Sequence, residues 1–326
     1  MKVTKDMIDP QLRVMVPGLN MMLRSKRTVE DVRRSSANPG LMDRLVPLLA
    51  PKPKGIHTEE RSIPRPDGSP MRIIIRRPLE PRHDVPGILH IHGGGYHMGS
   101  PELQFHCKPF IDMSGAVMVS PAYRLSVDEP YPAALDDCYT ALLWLKENAA
   151  SLGVRDDQLA VTGESAGGGL TAALTLYARD KGEVNIAFQM PLFPMIDDRN
   201  SSDSARDNDA PGWDAVTNEV GWKIYLGDLW GTDEVPAYAA PARATDYTSL
   251  PPTYTYVGSI DPFRSETETY IARLRAAGVP AELHVHDGAY HGFDGVRWAK
   301  VTKRAHALLY EWFEKAVEEY TAPQES

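Results

Sequence analysis

Cysteine is nearly missing from this chain: Cys107 and Cys138 are the two among 326 residues, and they form no C-x-x-C pair. That rules out a disulfide-dense scaffold, leaving two thiols or at most one bridge, and it suits a reducing cytoplasm. Long apolar runs are missing as well. No stretch reaches 18 residues, so no transmembrane helix and no stable membrane anchor are expected. The opening segment MKVTKDMIDPQLRVM holds no uninterrupted apolar run, so no secretory signal is expected either. Positive charge is in deficit, with 35 Lys and Arg against 44 Asp and Glu for a net charge of −9, and no basic run stands out. Nucleic acid and anionic membrane are thereby disfavoured as partners. No internal repeat is found.

What is present reads as an ordinary globular chain, 42% hydrophobic and 24% charged. The length fits one large α/β domain, or a core with a small accessory piece. Residues 1–52 carry a helical pattern and no strand signal. Asp9-Pro10 resembles an N-cap followed by proline at the first helical position, and Thr28 with Asp31 resembles a capping box. Apolar residues recur there at roughly helical spacing: Met15, Leu19, Met22, Leu23, Leu41, Leu45, Leu48 and Leu49. Two readings fit this segment, helices packed on the core or a mobile lid over a pocket, so 1–52 is expected to be an N-terminal helical cap.

From residue 53 onward, strands and helices alternate. HTEERSIPRPDGSPMRIIIRRP predicts two strands joined at PDGS. GILHIH, AVMVSPA, QLAVTG, AFQMPLF, TYTYVGS and AELHVH predict further strands, with helical patterns between them and a last helix over 298–320. Short apolar strands alternating with helices predict a mostly parallel sheet of about eight strands covered on both faces, the first hairpin adding an antiparallel edge. Residues 195–235 interrupt the alternation with a polar loop and three of the six tryptophans. This is too long for an ordinary connection and reads as an insertion at the mouth of the sheet.

Ser165, in VTGESAGGGL, stands where a strand ends and a helix begins. That is the setting in which G-x-S-x-G exposes a serine hydroxyl on a strained turn, and small residues at 163 and 167 let strand and helix approach. The N–H of Ala166, at the helix start, can point at a developing oxyanion. A second element, HIHGGGYHMGS, places Gly93, Gly94 and Gly95 directly after a strand, where unobstructed backbone N–H groups suit the same task. His92 reads as a hydrogen-bonding support for this loop. No neighbouring carboxylate or third histidine completes a metal set with His90 and His92, so no metal and no organic cofactor are expected.

A serine nucleophile needs a base, and the base needs an orienting acid. Asp261, in TYTYVGSIDPFRSE, lies just past one strand end, and His291, in AELHVHDGAYHGFD, just past the next. Sites of parallel sheets gather at these ends, so both can converge on Ser165. Asp287 and Asp294 are rival acids but adjoin the histidine in sequence. Tyr96, Trp213, Trp222 and Trp230 are candidates to border a substrate pocket.

With these residues in hand, the sequence resembles the bacterial hormone-sensitive-lipase family of α/β-hydrolase esterases and lipases. The likeness runs from about residue 70 to 310 through HGGGY (92–96), GESAGGG (163–169), DPFRSE (261–266), YHGFD (290–294) and YRLSVDEPYPAALDD (123–137). It implies an α/β-hydrolase fold with Ser165 as nucleophile, Asp261 as acid, His291 as base and Gly93, Gly94 and Ala166 as oxyanion donors. It also implies a small-molecule ester as substrate and a possible homodimer, and a short cap with an unmarked pocket fits short- to medium-chain acyl groups. Glu164, Asp128, Ser126-Val127 and Ser265 depart from the family pattern. The same core also hosts amidases such as arylformamidases and catalytically silent binding proteins, which are the two alternative readings.

Overall fold

The computed structural model describes residues 1–24, 27–37 and 53–324. Among the described residues, eight strands form one sheet in the order β1-β2-β4-β3-β5-β6-β7-β8. They are β1 (Ile56–Pro64), β2 (Pro70–Pro78), β3 (Val85–Ile91), β4 (Val117–Pro121), β5 (Val154–Glu164), β6 (Phe188–Leu192), β7 (Thr253–Gly258) and β8 (Ala281–His286). The β1–β2 hairpin closes at PDGS with Arg65 N–H donating to Ser69 O at 2.8 Å. β2 runs antiparallel to β4, and every pairing from β4 to β8 is parallel. This is the expected mostly parallel sheet with an antiparallel edge.

The central strands are apolar on both faces because helices cover both. β3, β4, β6 and β7 are buried throughout, whereas β1 and β8 at the edges are partly exposed. Strand alternation sorts the side chains. Leu89, Ile91, Val117, Val119 and Val161 face one core, with α4 (Ala133–Leu152) and α5 (Ala166–Lys181) above them. Ile88, Met118, Ala160 and Met190 face the other, beneath α3 (Cys107–Ser114) and α8 (Lys300–Glu319). Each fully buried side chain of this size contributes about 1.5–3 kcal/mol. α7 (Arg264–Ala276) adds a satellite core through Tyr270, Ile271 and Leu274. Both cysteines are free and buried. Among the described residues no helix is long and apolar enough to cross a membrane.

The N-terminal segment forms α1 (Val16–Arg24) and α2 (Val29–Ala37). Thr28 caps α2 as expected, its Oγ1 accepting the Asp31 N–H at 3.0 Å. Asp9-Pro10 does not start a helix. Asp9 Oδ1 accepts the Gln11 N–H at 2.7 Å and Asp9 O accepts the Leu12 N–H, so the chain makes a turn there and α1 begins at Val16. The short Asp9 carboxylate is satisfied within the turn, which competes with helix initiation. Leu41, Leu45, Leu48 and Leu49 lie outside the described residues. The insertion carries α6 (Ala215–Leu226), and Val32 of α2 packs against its Val220 and Ile224. Arg27 also pairs with Asp214, whose Oδ1 caps α6 through the Thr217 N–H at 2.8 Å.

Candidate active site

The loops that follow β3, β5, β7 and β8 meet over the parallel half of the sheet. β5 ends at Glu164, and Ser165 adopts φ 58° and ψ −118° before α5 begins at Ala166. Such a backbone is strained for any residue with a Cβ and persists only where its surroundings hold it. Here the Ser165 N–H donates to Leu192 O at 3.0 Å, and Ser165 O accepts from the N–H groups of Gly169 (2.9 Å) and Met195 (3.0 Å). A Cβ at Gly163 would stand 2.5 Å from Gly167 O and from Ile91 O. One at Gly167 would run into Ile91 O and lie 2.6 Å from His92 O. Only glycine lets α5 descend onto the β3–β5 seam at this point.

Three side chains then line up. Ser165 Oγ lies 2.8 Å from His291 Nε2, and His291 Nδ1 lies 2.9 Å from Asp261 Oδ2. All three are buried, Asp261 to 1% exposure and His291 to 9%. An ionised carboxylate only accepts, so Nδ1–H donates to Asp261 and Nε2 is left to accept the Ser165 O–H. Asp261 is held by a turn, its Oδ1 accepting the Phe263 N–H at 2.9 Å. The rival acids stand elsewhere: Asp287 bonds Ser259 and Asp294 bonds Tyr256. The His291 ring is enclosed by Phe263 and Phe193, edge-on at 4.9 and 5.2 Å, and by Trp213 at 6.0 Å.

Above these groups opens a cavity of about 1020 Å³. Gly93, Gly94 and Gly95 line it beside Ser165 and His291, together with Leu19, Val32, Phe193 and Trp213. Ala166 opens α5, so its N–H belongs to the first helical turn, whose donors have no intrahelical acceptor. The glycine loop is braced from behind. Tyr123 stacks on His92 at 4.2 Å, and its hydroxyl donates to His92 O at 2.9 Å. Burial lowers the His92 pKa to about 4, so the ring is neutral. The YRLSVDEPYPAALDD segment closes on itself: buried Asp137 accepts the Arg124 N–H at 2.8 Å and also pairs with Arg65.

Three of the four expected pocket residues are placed differently. Tyr96 and Trp222 do not border the cavity; they are fully buried in the core, where Tyr96 stacks on Tyr225 at 3.8 Å and donates to Met195 O at 2.8 Å. Trp222 lies on α6 and Tyr96 in the glycine loop, and the two rings pack against each other and against Tyr225 rather than at the opening. Trp230 also packs against that core, half-buried. Trp213 borders the cavity, its Nε1–H donating to Asn218 Oδ1 at 3.2 Å. Sequence reasoning gave no role to Phe193, which carries no motif signal beyond its nearness to a strand end, or to Phe263, which stands in the quoted DPFRSE stretch but was not singled out. It also missed the carboxylate beside His90, which is Glu164. Of the departures from the family pattern, Asp128 is exposed at the cavity rim, and Ser265 exchanges hydrogen bonds with Ser204 of the insertion at 2.9 and 3.2 Å.

Comparison with known proteins agrees with this architecture. The model of the α/β-hydrolase fold family matches residues 88–295. Esterase LipI of Mycobacterium tuberculosis is 36% identical over 216 residues, covering 65% of this chain and 67% of its own. Carboxylesterase NlhH of the same species is 30% identical over 299 residues, 89% of this chain and 90% of its own. Among solved structures, a bacterial heroin esterase superposes with a TM-score of 0.86 at 34% identity, covering 97% of this chain and 99% of that one. The chain belongs to the α/β-hydrolase fold family, in its hormone-sensitive-lipase-like branch of esterases.

Proposed function

We propose that the protein hydrolyses carboxylic esters through a Ser165–His291–Asp261 triad. The observation that carries this reading is the unbroken hydrogen-bonded chain from Asp261 Oδ2 through His291 to Ser165 Oγ, at 2.9 and 2.8 Å, on the floor of the large cavity. His291 Nε2 takes the Ser165 proton as Oγ attacks the ester carbonyl. The N–H groups of Gly93, Gly94 and Ala166 receive the negative charge on the carbonyl oxygen; a single donor in such a site is worth roughly 10²–10³ in kcat. His291 then protonates the leaving alcohol, and an acyl group remains on Ser165. Water attacks this acyl-enzyme and gives its proton to His291, which returns it to Ser165 as the carboxylic acid leaves. Asp261 keeps the ring in the productive tautomer and stabilises its charge.

Short- to medium-chain acyl esters are the substrates in this reading, with a cytoplasmic location supported by two free buried thiols. The named ester hydrolases among the relatives support the reaction class. The test is hydrolysis of p-nitrophenyl esters from two- to sixteen-carbon acyl chains, with a matched anilide beside each ester. A rate maximum at short or medium chains, absent in a folded Ser165→Ala variant, is expected. Wild-type turnover by that variant would remove Ser165 from the mechanism, and preferential anilide cleavage would make the protein an amidase.

A further inference from the structure

A second cluster of chemically capable side chains lies outside the triad. His106 precedes α3, Asp294 follows His291 by three residues, and His306 projects from α8. One candidate ligand atom from each lies within 4.8 Å of the other two. His106 Nε2 stands 3.8 Å from Asp294 Oδ2. His306 Nε2 is buried and has no hydrogen-bond partner.

The supporting contacts fix how these groups are presented. His106 Nδ1 lies 3.1 Å from Tyr310 Oη, so an Nδ1–H donated there leaves the Nε2 lone pair facing Asp294. The Tyr256 hydroxyl donates to Asp294 Oδ2 at 3.2 Å. An imidazole lone pair, a carboxylate oxygen and an unpartnered imidazole nitrogen thus converge, all of them electron-pair donors. Such a set is stable when a proton or a cation sits among them. Two imidazoles and one carboxylate are a donor set favoured by zinc and its neighbours rather than by magnesium or calcium. Metal–ligand bonds of about 2.0–2.1 Å place tetrahedral ligand atoms about 3.4 Å apart, within a small side-chain adjustment of what is seen. Tyr310 on His106 and Tyr256 on Asp294 supply the outer hydrogen bonds that orient metal ligands.

We propose that His106, Asp294 and His306 bind a divalent transition-metal ion of the zinc class. The ion ties the loop that carries His291 to α8 and to the approach to α3. It leaves the triad itself unligated, since Ser165, His291 and Asp261 are paired with one another.

The experiment uses the full chain, stripped with a chelator and titrated with cobalt(II) in place of zinc. One equivalent should bind with the visible d–d bands of a four- or five-coordinate site. His306→Gln should abolish those bands and weaken zinc binding by calorimetry at least tenfold. Zinc should raise the Tm of the wild type by a few degrees and leave that of His306→Gln unchanged. His306 forms no hydrogen bond through Nε2, so the variant is expected to fold. Asp294→Asn, which keeps an acceptor for Tyr256, is the second variant and should also lose the bands. His284→Gln, at the exposed His284–Glu282 pair, should bind as wild type does. Absence of d–d bands in the wild type would overturn the proposal, leaving a proton between His106 and Asp294. Equal binding by wild type and His306→Gln, or loss in His284→Gln, would overturn it in favour of a surface site.

Discussion

His90 Nε2 faces both carboxylate oxygens of Glu164, at 3.2 and 3.1 Å, across the seam between β3 and β5. Both groups are buried, and Glu164 directly precedes the strained Ser165. The chain of contacts continues through His90 Nδ1 to Ser120 Oγ at 3.4 Å, and from there to Gln104. A glutamate at 164 therefore braces the nucleophile turn against two further strands. Glu164→Gln keeps the volume and removes the charged acceptor, which should cost about 1–3 kcal/mol of stability. Denaturant unfolding measures this; a variant as stable as wild type would show that the pair contributes nothing.

Trp213 should limit the cavity beside the base. Its ring stands 6.0 Å from His291, and a Cβ on Gly95 would collide with it. Trp213→Phe loses the bond to Asn218 and should cost about 1 kcal/mol with the chain-length profile kept. Trp213→Ala should cost about 3–5 kcal/mol and move the preferred p-nitrophenyl ester toward longer acyl chains. An unchanged profile in Trp213→Ala would place the acyl chain elsewhere in the cavity.

Stability should fall as pH drops from 6.5 toward 4. Burial holds His92 at a pKa of about 4 against 6.5 in an unfolded chain. Between those values the unfolded chain binds the proton and the folded one does not, so protonation favours unfolding. The contribution is complete above pH 6.5 and lost through this window, amounting to about 3 kcal/mol. Urea midpoints measured from pH 7 to 4.5 should decline, and less steeply for His92→Asn, which retains a donor for Gly93 O. Parallel slopes for the two proteins would assign the decline to other groups.

Glu266 predicts a drift of the opposite sign. Burial, with Asp197 adding to it, pushes its carboxyl well above the usual range, although Oε1 accepts the N–H groups of Ile196 (2.9 Å) and Asp197 (3.2 Å). A raised folded pKa means the folded chain keeps the proton after the unfolded chain has released it. Its contribution is therefore full at low pH and lost as pH rises above the unfolded value. Glu266→Gln, which retains the acceptor, should gain stability relative to wild type between pH 5 and 8. A difference independent of pH would mean that Glu266 stays ionised when folded.

The sequence by itself determined the parts that rest on local rules. Strand–turn–helix punctuation around Ser165 marked the elbow, because only glycine at 163 and 167 admits the backbone contacts found there. Apolar runs without alternation marked the interior strands, because helices on both faces leave them no solvent side. Asp261 and His291 were legible because the ends of neighbouring parallel strands must lie side by side. Position across the chain was decided only by tertiary structure. Trp213 and Trp222 lie nine residues apart on one insertion, yet the first borders the cavity and the second enters the core, since Trp213 stands in the loop before α6 and Trp222 on the helix, packed against Tyr96 and Tyr225. Glu164 found His90, and Asp294 met His106 and His306, through strand register and helix placement that no local spacing encodes. Asp9-Pro10 shows the limit from the other side: a good helix-start signal lost to a turn that satisfied the same carboxylate first.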